Sequence, residues 1–135
     1  AGFPLVVAAG NGRQNACNAS PAGARRAFAM AASDEHDRQA YFSNYGRCTR
    51  LYAPGMDITS TWIARRITQH ADVRTVSGTS MAAAHVSGVA ALYLARQAYS
   101  NADDLYSALT SHAGVGRLTR VSPGTPNRIV SIGNA

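Results

Sequence analysis

The residues with the clearest potential for chemistry lie in a short segment around Ser80. Residues 77–82 read Ser-Gly-Thr-Ser-Met-Ala and open a long alanine-rich stretch. A serine hydroxyl becomes a nucleophile only when a base removes its proton and nearby donors stabilise the oxyanion that forms. The start of a helix supplies free backbone N–H groups and the positive end of a helix dipole. Ser80 is therefore a candidate nucleophile, although such a segment is more commonly only an N-cap.

Asn11 is a second polar residue that could take part in this chemistry. It follows Gly10 at the end of an apolar segment, residues 4–9. A Gly-Asn pair in this position is typical of a turn after a buried strand. A side-chain amide at such a turn can also donate a hydrogen bond to an oxyanion. The residues alone leave both interpretations open.

Two helices are predicted downstream of Gly78. The first covers residues 79–98, which contain no proline, are rich in alanine and include Val86 and Val89 among few polar groups. Such a composition is expected of a helix buried in a core. The second begins after Asn101, a favourable N-cap, and has two aspartates in its first turn.

Short apolar segments between polar loops predict strands. These segments are residues 4–9, 27–32, 58–62 and 73–76, separated by polar stretches at 10–23 and 33–45 and by a Pro-Gly turn at 54–55. Strands mixed with a buried helix predict an α/β layer fold. The chain opens inside an apolar strand and without a signal peptide, so we expect it to be a fragment.

The composition favours a single globular domain. The chain has 135 residues, of which 46% are hydrophobic and 15% are charged. Its net charge is +6, and all 13 basic residues are arginines, scattered from Arg13 to Arg128. Because they are neither clustered nor interleaved with aromatic residues, we expect no nucleic-acid partner and interpret the charge as a solubility feature. No apolar run approaches the roughly 20 residues of a membrane span, so we also expect no membrane association.

Four segments of the chain carry a recognisable combination of motifs. They read SGTSMAAAHVSGVAALYL at 77–94, VVAAGN at 6–11, SNYG at 43–46 with Ala-Pro-Gly at 53–55, and GTPNR at 124–128. In order and spacing they resemble the subtilisin-like serine protease (subtilase) family, in its branch of proteinase K and aqualysin. The resemblance covers essentially all of residues 1–135 and implies the C-terminal half of one catalytic domain. It also implies a largely parallel sheet with a buried central helix that starts at the nucleophile.

The resemblance implies a serine endopeptidase with a Ser/His/Asp triad acting on polypeptide substrates. Ser80 matches the nucleophile and Asn11 the oxyanion-hole asparagine. In the family the aspartate and the histidine precede the strand with which this chain begins. No histidine of the chain stands in the catalytic context, the four being His36, His70, His85 and His112. We therefore expect this fragment to be inactive alone and to need an N-terminal half as its partner.

One departure from the family pattern, Ala84, keeps a different function open, and His85 does not supply the missing base. His85 follows Ser80 by five residues, which turns it roughly 140° away and about 7.5 Å along a helix, so it is not the base; the family uses it for packing. Ala84 stands where the family usually has proline, a change that a first helical turn tolerates. The alternative to an enzyme is a non-catalytic fragment or pseudoprotease that acts as a binding module.

The substrate pocket implied by the resemblance consists of two segments. One is the backbone of Ala8, Ala9 and Gly10, and the other is formed by Asn18, Ala19 and Ser20. Neither segment carries an acidic residue, so a preference for apolar or aromatic side chains is expected rather than one for basic residues. Close relatives often have a bulky aromatic residue in place of Ala19, which implies an enlarged pocket here.

The chain contains two cysteines, Cys17 and Cys48, whose types and number alone favour neither free thiols nor a disulfide. Both match a bridge of aqualysin-like members, so the resemblance implies a disulfide and a secreted, monomeric enzyme.

Calcium is common in the family, but Arg50 stands where an aspartate ligand is expected and Arg25 where a proline carbonyl is. We therefore expect no metal or other cofactor, and Arg50 either fills the vacated space or points to solvent.

Overall fold

The computed structural model describes residues 3–63 and 72–133, which form seven strands and two α-helices. In chain order these are β1 (Val6–Ala8), β2 (Phe28–Ser33), β3 (Thr49–Pro54), β4 (Ile58–Trp62), β5 (Asp72–Val76), α1 (Thr79–Arg96), α2 (Ala102–Ser111), β6 (Gly114–Val115) and β7 (Arg128–Ile129). A short 3-10 helix, Ala16–Asn18, lies in the loop after β1. The order mixes strands and helices, which confirms the predicted α/β class.

A five-stranded sheet with the order β1-β2-β3-β7-β6 forms the centre of the fold. The pairs β1-β2, β2-β3 and β3-β7 are parallel, and only β6-β7 is antiparallel. All six residues of β2 are buried. A continuous apolar strand of this kind is typical of a parallel sheet that is covered on both faces, so the largely parallel sheet is confirmed.

The long helix α1 packs against β1, β2 and β3. Its buried residues include Ala82, Val86, Ala90 and Tyr93, spaced by three or four positions along one face. Two leucines that flank this buried face, Leu92 and Leu94, are each 47% accessible. The helix begins at the predicted residue but ends at Arg96, two residues early, because Gln97 is already extended. The structure thus buries one face of a helix whose composition suits burial on all sides.

The remaining helix and the hairpin follow the sequence pattern closely. The side chain of Asn101 accepts a hydrogen bond from the backbone N–H of Asp104 at 3.0 Å, which confirms the predicted N-cap of α2. Strands β4 and β5 form a separate antiparallel pair, in which Ile58 lies opposite Val76. Most of the arginine- and histidine-rich loop between these strands lies outside the described residues.

Three strands were not expected from the sequence. Strand β3 carries a threonine and an arginine at its start, and β6 and β7 have only two residues each. Their assignment depends on long-range pairing, such as that of Tyr52 with Ile129, and not on a local apolar pattern. The predicted first strand is also shortened to Val6–Ala8, because only these residues pair with β2.

Candidate active site

Ser80 is the second residue of α1, and its side chain is exposed. The backbone before the helix is held in place by a hydrogen bond of 2.7 Å from the N–H of Gly78 to the carbonyl of Gly55. Gly55 directly follows β3, so the sheet fixes the position at which α1 starts. A side chain on Gly55 would collide with Ala32, which explains the glycine in the Ala-Pro-Gly turn.

Asn11 lies beside the start of α1 and is oriented by Thr79. Its Oδ1 atom accepts two hydrogen bonds, from the backbone N–H of Thr79 at 2.9 Å and from its hydroxyl at 2.8 Å. The Thr79 Oγ1 atom in turn accepts a hydrogen bond from the N–H of Gly10 at 3.0 Å. Because Oδ1 is occupied by two donors, the Nδ2 group of Asn11 remains to donate elsewhere.

Two hydrogen-bond donors border a common space above Gly78. A Cβ atom on Gly78 would lie 3.4 Å from Asn11 Nδ2 and 3.8 Å from the backbone nitrogen of Ser80. The absence of a side chain on Gly78 therefore leaves a space bordered by the Asn11 amide, the Met81 sulfur and the backbone nitrogen of Ser80, whose own side chain is exposed. An amide pair next to a serine is the arrangement that stabilises an oxyanion during acyl transfer.

Asn44 clamps the loop that carries Asn11, a role that the sequence did not indicate. The side chain of Asn44 is buried; its Nδ2 donates to the carbonyl of Ala9 at 2.8 Å, and its Oδ1 accepts from the N–H groups of Gly12 at 3.1 Å and Gln14 at 3.0 Å. Gly10 has φ of 107°, and a Cβ there would collide with the Asn44 amide. The Ser-Asn-Tyr-Gly motif contributes to the family resemblance, but it does not indicate which backbone groups Asn44 contacts.

The two segments expected to form the substrate pocket border one apolar cluster. Ala9 and Ala16 are fully buried members of this cluster, and Ala19 packs against it. In the first segment, Ala8 is the last residue of β1 and Gly10 lies two residues further on. In the second segment, Asn18 and Ser20 are exposed. The structure therefore brings these segments into proximity, and their role in binding substrate stays a prediction.

The predicted disulfide between Cys17 and Cys48 is present. Its Cα atoms are 5.2 Å apart, and the bond joins positions separated by 31 residues. Cys17 belongs to the 3-10 helix, and Cys48 directly precedes β3. The bond thus ties the segment of Asn18, Ala19 and Ser20 to the central sheet.

The described histidines do not contact Ser80. His85 Nδ1 lies 2.9 Å from the carbonyl of Met81, and His112 Nδ1 lies 2.8 Å from that of Ala108. His36 lies in an exposed pair with Glu35, and His70 is outside the described residues. His85 is exposed in the part of the chain that the structure describes, and the packing role expected of it stays a prediction. Among the described residues no imidazole is therefore placed to act as the base.

The place expected for calcium is lined by arginine side chains. Arg25, Ala27 and Arg50 border one cavity of about 580 Å³. Guanidinium groups are donors and positively charged, and the four arginines of this cavity outnumber its one carboxylate, that of Asp103, so the lining does not fit a cation that requires oxygen ligands. Of the two positions expected for Arg50 the exposed one is observed, and among the described residues no hydrogen bond joins its side chain to the carbonyl of Arg25 or of Ala27.

The fold and the site define a class of protein: an α/β protein with an exposed serine and two amide donors at the start of its central helix. Residues 1–133 match the subtilase family, peptidase S8, and the chain belongs to this family. No helix within the described ranges is long and apolar enough to cross a membrane.

The relatives include fungal enzymes and solved structures. The chain is 46% identical over 136 residues to subtilisin-like serine protease Pen ch 18 of Penicillium rubens, covering 94% of this chain and 27% of that protein. It is 42% identical to alkaline protease 2 of Aspergillus fumigatus, with the same coverage. A crystal structure of a cold-adapted subtilisin-like serine proteinase superposes with a TM-score of 0.88 at 34% identity, over 99% of this chain and 46% of that one. The chain thus spans about a quarter of the length of these curated relatives.

Proposed function

We propose that the chain supplies the nucleophile and the oxyanion hole of a subtilisin-like serine endopeptidase. The observation that carries the proposal is the common space bordered by Asn11 Nδ2 and the Ser80 nitrogen, next to the exposed Ser80 side chain. In this proposal Ser80 attacks the carbonyl of a polypeptide substrate. The two donors then stabilise the negative charge on the carbonyl oxygen. A histidine, oriented by an aspartate, takes the proton of the Ser80 hydroxyl and returns it to the leaving amine.

The histidine and the aspartate are proposed to come from a further part of the same catalytic domain. Two surfaces of the described residues support this. Helix α1 exposes Leu92 and Leu94, and β1 pairs with β2 only, which leaves one sheet edge open. Exposed apolar faces and open strand edges are normally covered by other elements. An added segment that packs on α1 and pairs with β1 would cover both.

The test is made on the complete catalytic domain that this proposal requires. A serine-directed phosphonylating reagent is expected to label Ser80, and Ser80→Ala is expected to abolish peptide hydrolysis. Ser111→Ala is a matched control, because Ser111 is an exposed helical serine on α2. Hydrolysis that survives Ser80→Ala would contradict the assignment. Absence of hydrolysis in the unmodified domain would instead favour the pseudoprotease alternative.

Substrate preference and location follow as parts of the same proposal. Asn18, Ala19 and Ser20 carry no charge, so a side chain that is apolar or aromatic is expected to bind between them and Ala8–Gly10. The disulfide is consistent with a secreted enzyme, because such bonds persist in oxidising compartments. Peptide substrates that differ only in the residue before the scissile bond measure the preference directly.

We also propose that no tight calcium site exists beside Arg50. Arg25 and Arg50 bring positive charge to the position where relatives are expected to hold the ion. Addition of calcium and of a chelator should leave the thermal unfolding of the chain unchanged within error. Restoring the carboxylate with Arg50→Asp should produce a calcium-dependent increase in stability. A calcium-dependent stabilisation of the unmodified chain would contradict this proposal.

A further inference from the structure

A cleft lined by arginines lies at the end of the sheet opposite to Ser80. Its cavity of about 580 Å³ is bordered by Arg25, Arg26, Arg50 and Arg128. Arg25 and Arg26 precede β2, Arg50 lies near the start of β3, and Arg128 is the first residue of β7. Because β2, β3 and β7 are parallel, their amino ends share one edge of the sheet. Asn11 follows the carboxyl end of β1 and so lies at the other edge.

One face of α2 forms the opposite wall of this arginine cleft. The lining residues of the helix recur at intervals of three and four, as one helical face requires; they are Asp103, Tyr106, Ser107, Thr110 and Ser111. Tyr106 stacks on Phe28 of β2, with ring centroids 4.4 Å apart and planes inclined by 2°. This stacked pair joins the helix to the sheet, so the two walls are held at a fixed separation.

The charges that line the arginine cleft are not balanced. Four arginines face one carboxylate, that of Asp103, which leaves a formal charge of +3. The ion pairs found within residues 3–63 and 72–133 involve His36 and Arg38 and none of these four arginines. A neighbouring cavity of about 440 Å³ shares Arg25 and Arg50 and adds Arg47. Several like charges around one concave space raise the positive potential there and attract anions.

We propose that the arginine cleft binds a small anion that carries several phosphate groups. A guanidinium presents a planar pair of donors that matches phosphate oxygens in a bidentate manner. A ligand with one carboxylate would offer only two oxygens and a single negative charge to four guanidinium groups. Linked phosphate groups offer enough oxygens for the four guanidinium groups and enough negative charge for their excess positive charge. The cavity also falls in the range of about 300–1,000 Å³ that small-molecule sites occupy. This inference does not depend on peptidase activity.

Titration of the full chain with sodium tripolyphosphate, followed by calorimetry, tests the proposal. Saturable binding of one ligand is expected, and it should weaken as salt is added. Arg50→Gln and Arg128→Gln should each weaken binding about tenfold, because each removes charge-assisted hydrogen bonds. Arg117→Gln is the matched control: Arg117 is exposed, lies outside the cleft and loses the same charge. Its affinity should stay within about twofold of the unmodified chain.

Asp103→Asn separates a specific site from a loss of folding. Removing the one carboxylate of the arginine cleft should strengthen tripolyphosphate binding several-fold, an effect that misfolding cannot produce. Binding that is not saturable, or an equal loss for Arg50→Gln and Arg117→Gln, would overturn the site. Binding of citrate as tight as that of tripolyphosphate would overturn the assignment of the ligand to the phosphate class.

Discussion

Replacing Asn44 by leucine should strongly destabilise the loop that carries Asn11, because Asn44 makes more hydrogen bonds to this loop than any other described side chain. Asn44 is 1% exposed, and its amide makes three hydrogen bonds to the backbone of residues 9–14. Leucine has the same branching and the same number of side-chain heavy atoms and makes none of these bonds. The substitution therefore removes the polar clamp without leaving a large cavity.

The expected cost follows from where each partner lies. Ala9 is fully buried, so its carbonyl would lose its partner where no water can replace it, at a cost of about 1–3 kcal/mol. Gly12 and Gln14 are exposed and can bind water, so each lost bond costs only about 0.5–1 kcal/mol. The sum is about 3 kcal/mol of unfolding free energy. With a typical urea dependence of about 1–3 kcal/mol per molar, the midpoint should fall by between about 1 and 3 M.

The functional effect should be separable from the loss of stability. Asn127→Leu is the matched control, because Asn127 also bridges backbone groups, donating to the Leu118 carbonyl at 2.8 Å and accepting from its N–H at 3.1 Å. Among the described residues its hydrogen bonds join it to Leu118 and Gly116, and none joins it to Asn11 or the loop after β1. Both variants should unfold more easily, but in the complete catalytic domain only Asn44→Leu should lower turnover with little change in KM.

The turnover of Asn44→Leu should fall by at most about 10²–10³-fold. This is the effect of removing the oxyanion-hole asparagine of subtilisin itself. Two results would refute the reasoning. One is a midpoint that Asn44→Leu leaves unchanged, and the other is an equal decrease in turnover for Asn44→Leu and Asn127→Leu.

Three further perturbations test other contacts. Thr79→Val removes a buried hydroxyl that makes two hydrogen bonds and should cost about 2 kcal/mol in urea unfolding, with Thr79→Ser retaining most of the stability; equal values for both variants would contradict this. Replacing Cys17 and Cys48 by serine opens a loop of 31 residues and should cost about 3–4 kcal/mol, checked by non-reducing denaturation; an unchanged midpoint would count against it. Burial acts to raise the pKa of Asp34, but hydrogen bonds from Arg38 and a neighbouring backbone N–H outweigh it and hold this pKa below its usual value. The ionised carboxylate therefore adds stability above about pH 4 that is lost as the pH falls further. In urea unfolding measured at several pH values, Asp34→Asn should make the free energy of unfolding depend less steeply on pH below about pH 4.

The parts of the fold that local patterns specify were predicted well. The start of α1, the N-cap at Asn101 and the strand Ile58–Trp62 follow from composition and spacing over a few residues. Strand β7 could not be found in this way, because two residues carry no periodicity and their pairing partner lies in β3. The site shows the same division. Ser80 and Asn11 were proposed from motifs, but the contacts of Asn44 depend on a loop that folds back over 30 or more positions, a distance at which sequence spacing says nothing about geometry.

The arginines illustrate most directly why sequence spacing can mislead. Arg25, Arg50 and Arg128 are far apart along the chain, and scatter of this kind by itself indicates only a general solubility feature. A parallel sheet brings the amino ends of its strands to one edge, so residues before or near the starts of β2, β3 and β7 become neighbours whatever their separation. The same rule brings Gly55, after β3, to the edge where Asn11 follows β1 and where α1 begins. One topology therefore creates two distinct edges: the carboxyl edge gathers the donors around Ser80, and the amino edge gathers arginines that are far apart in the sequence.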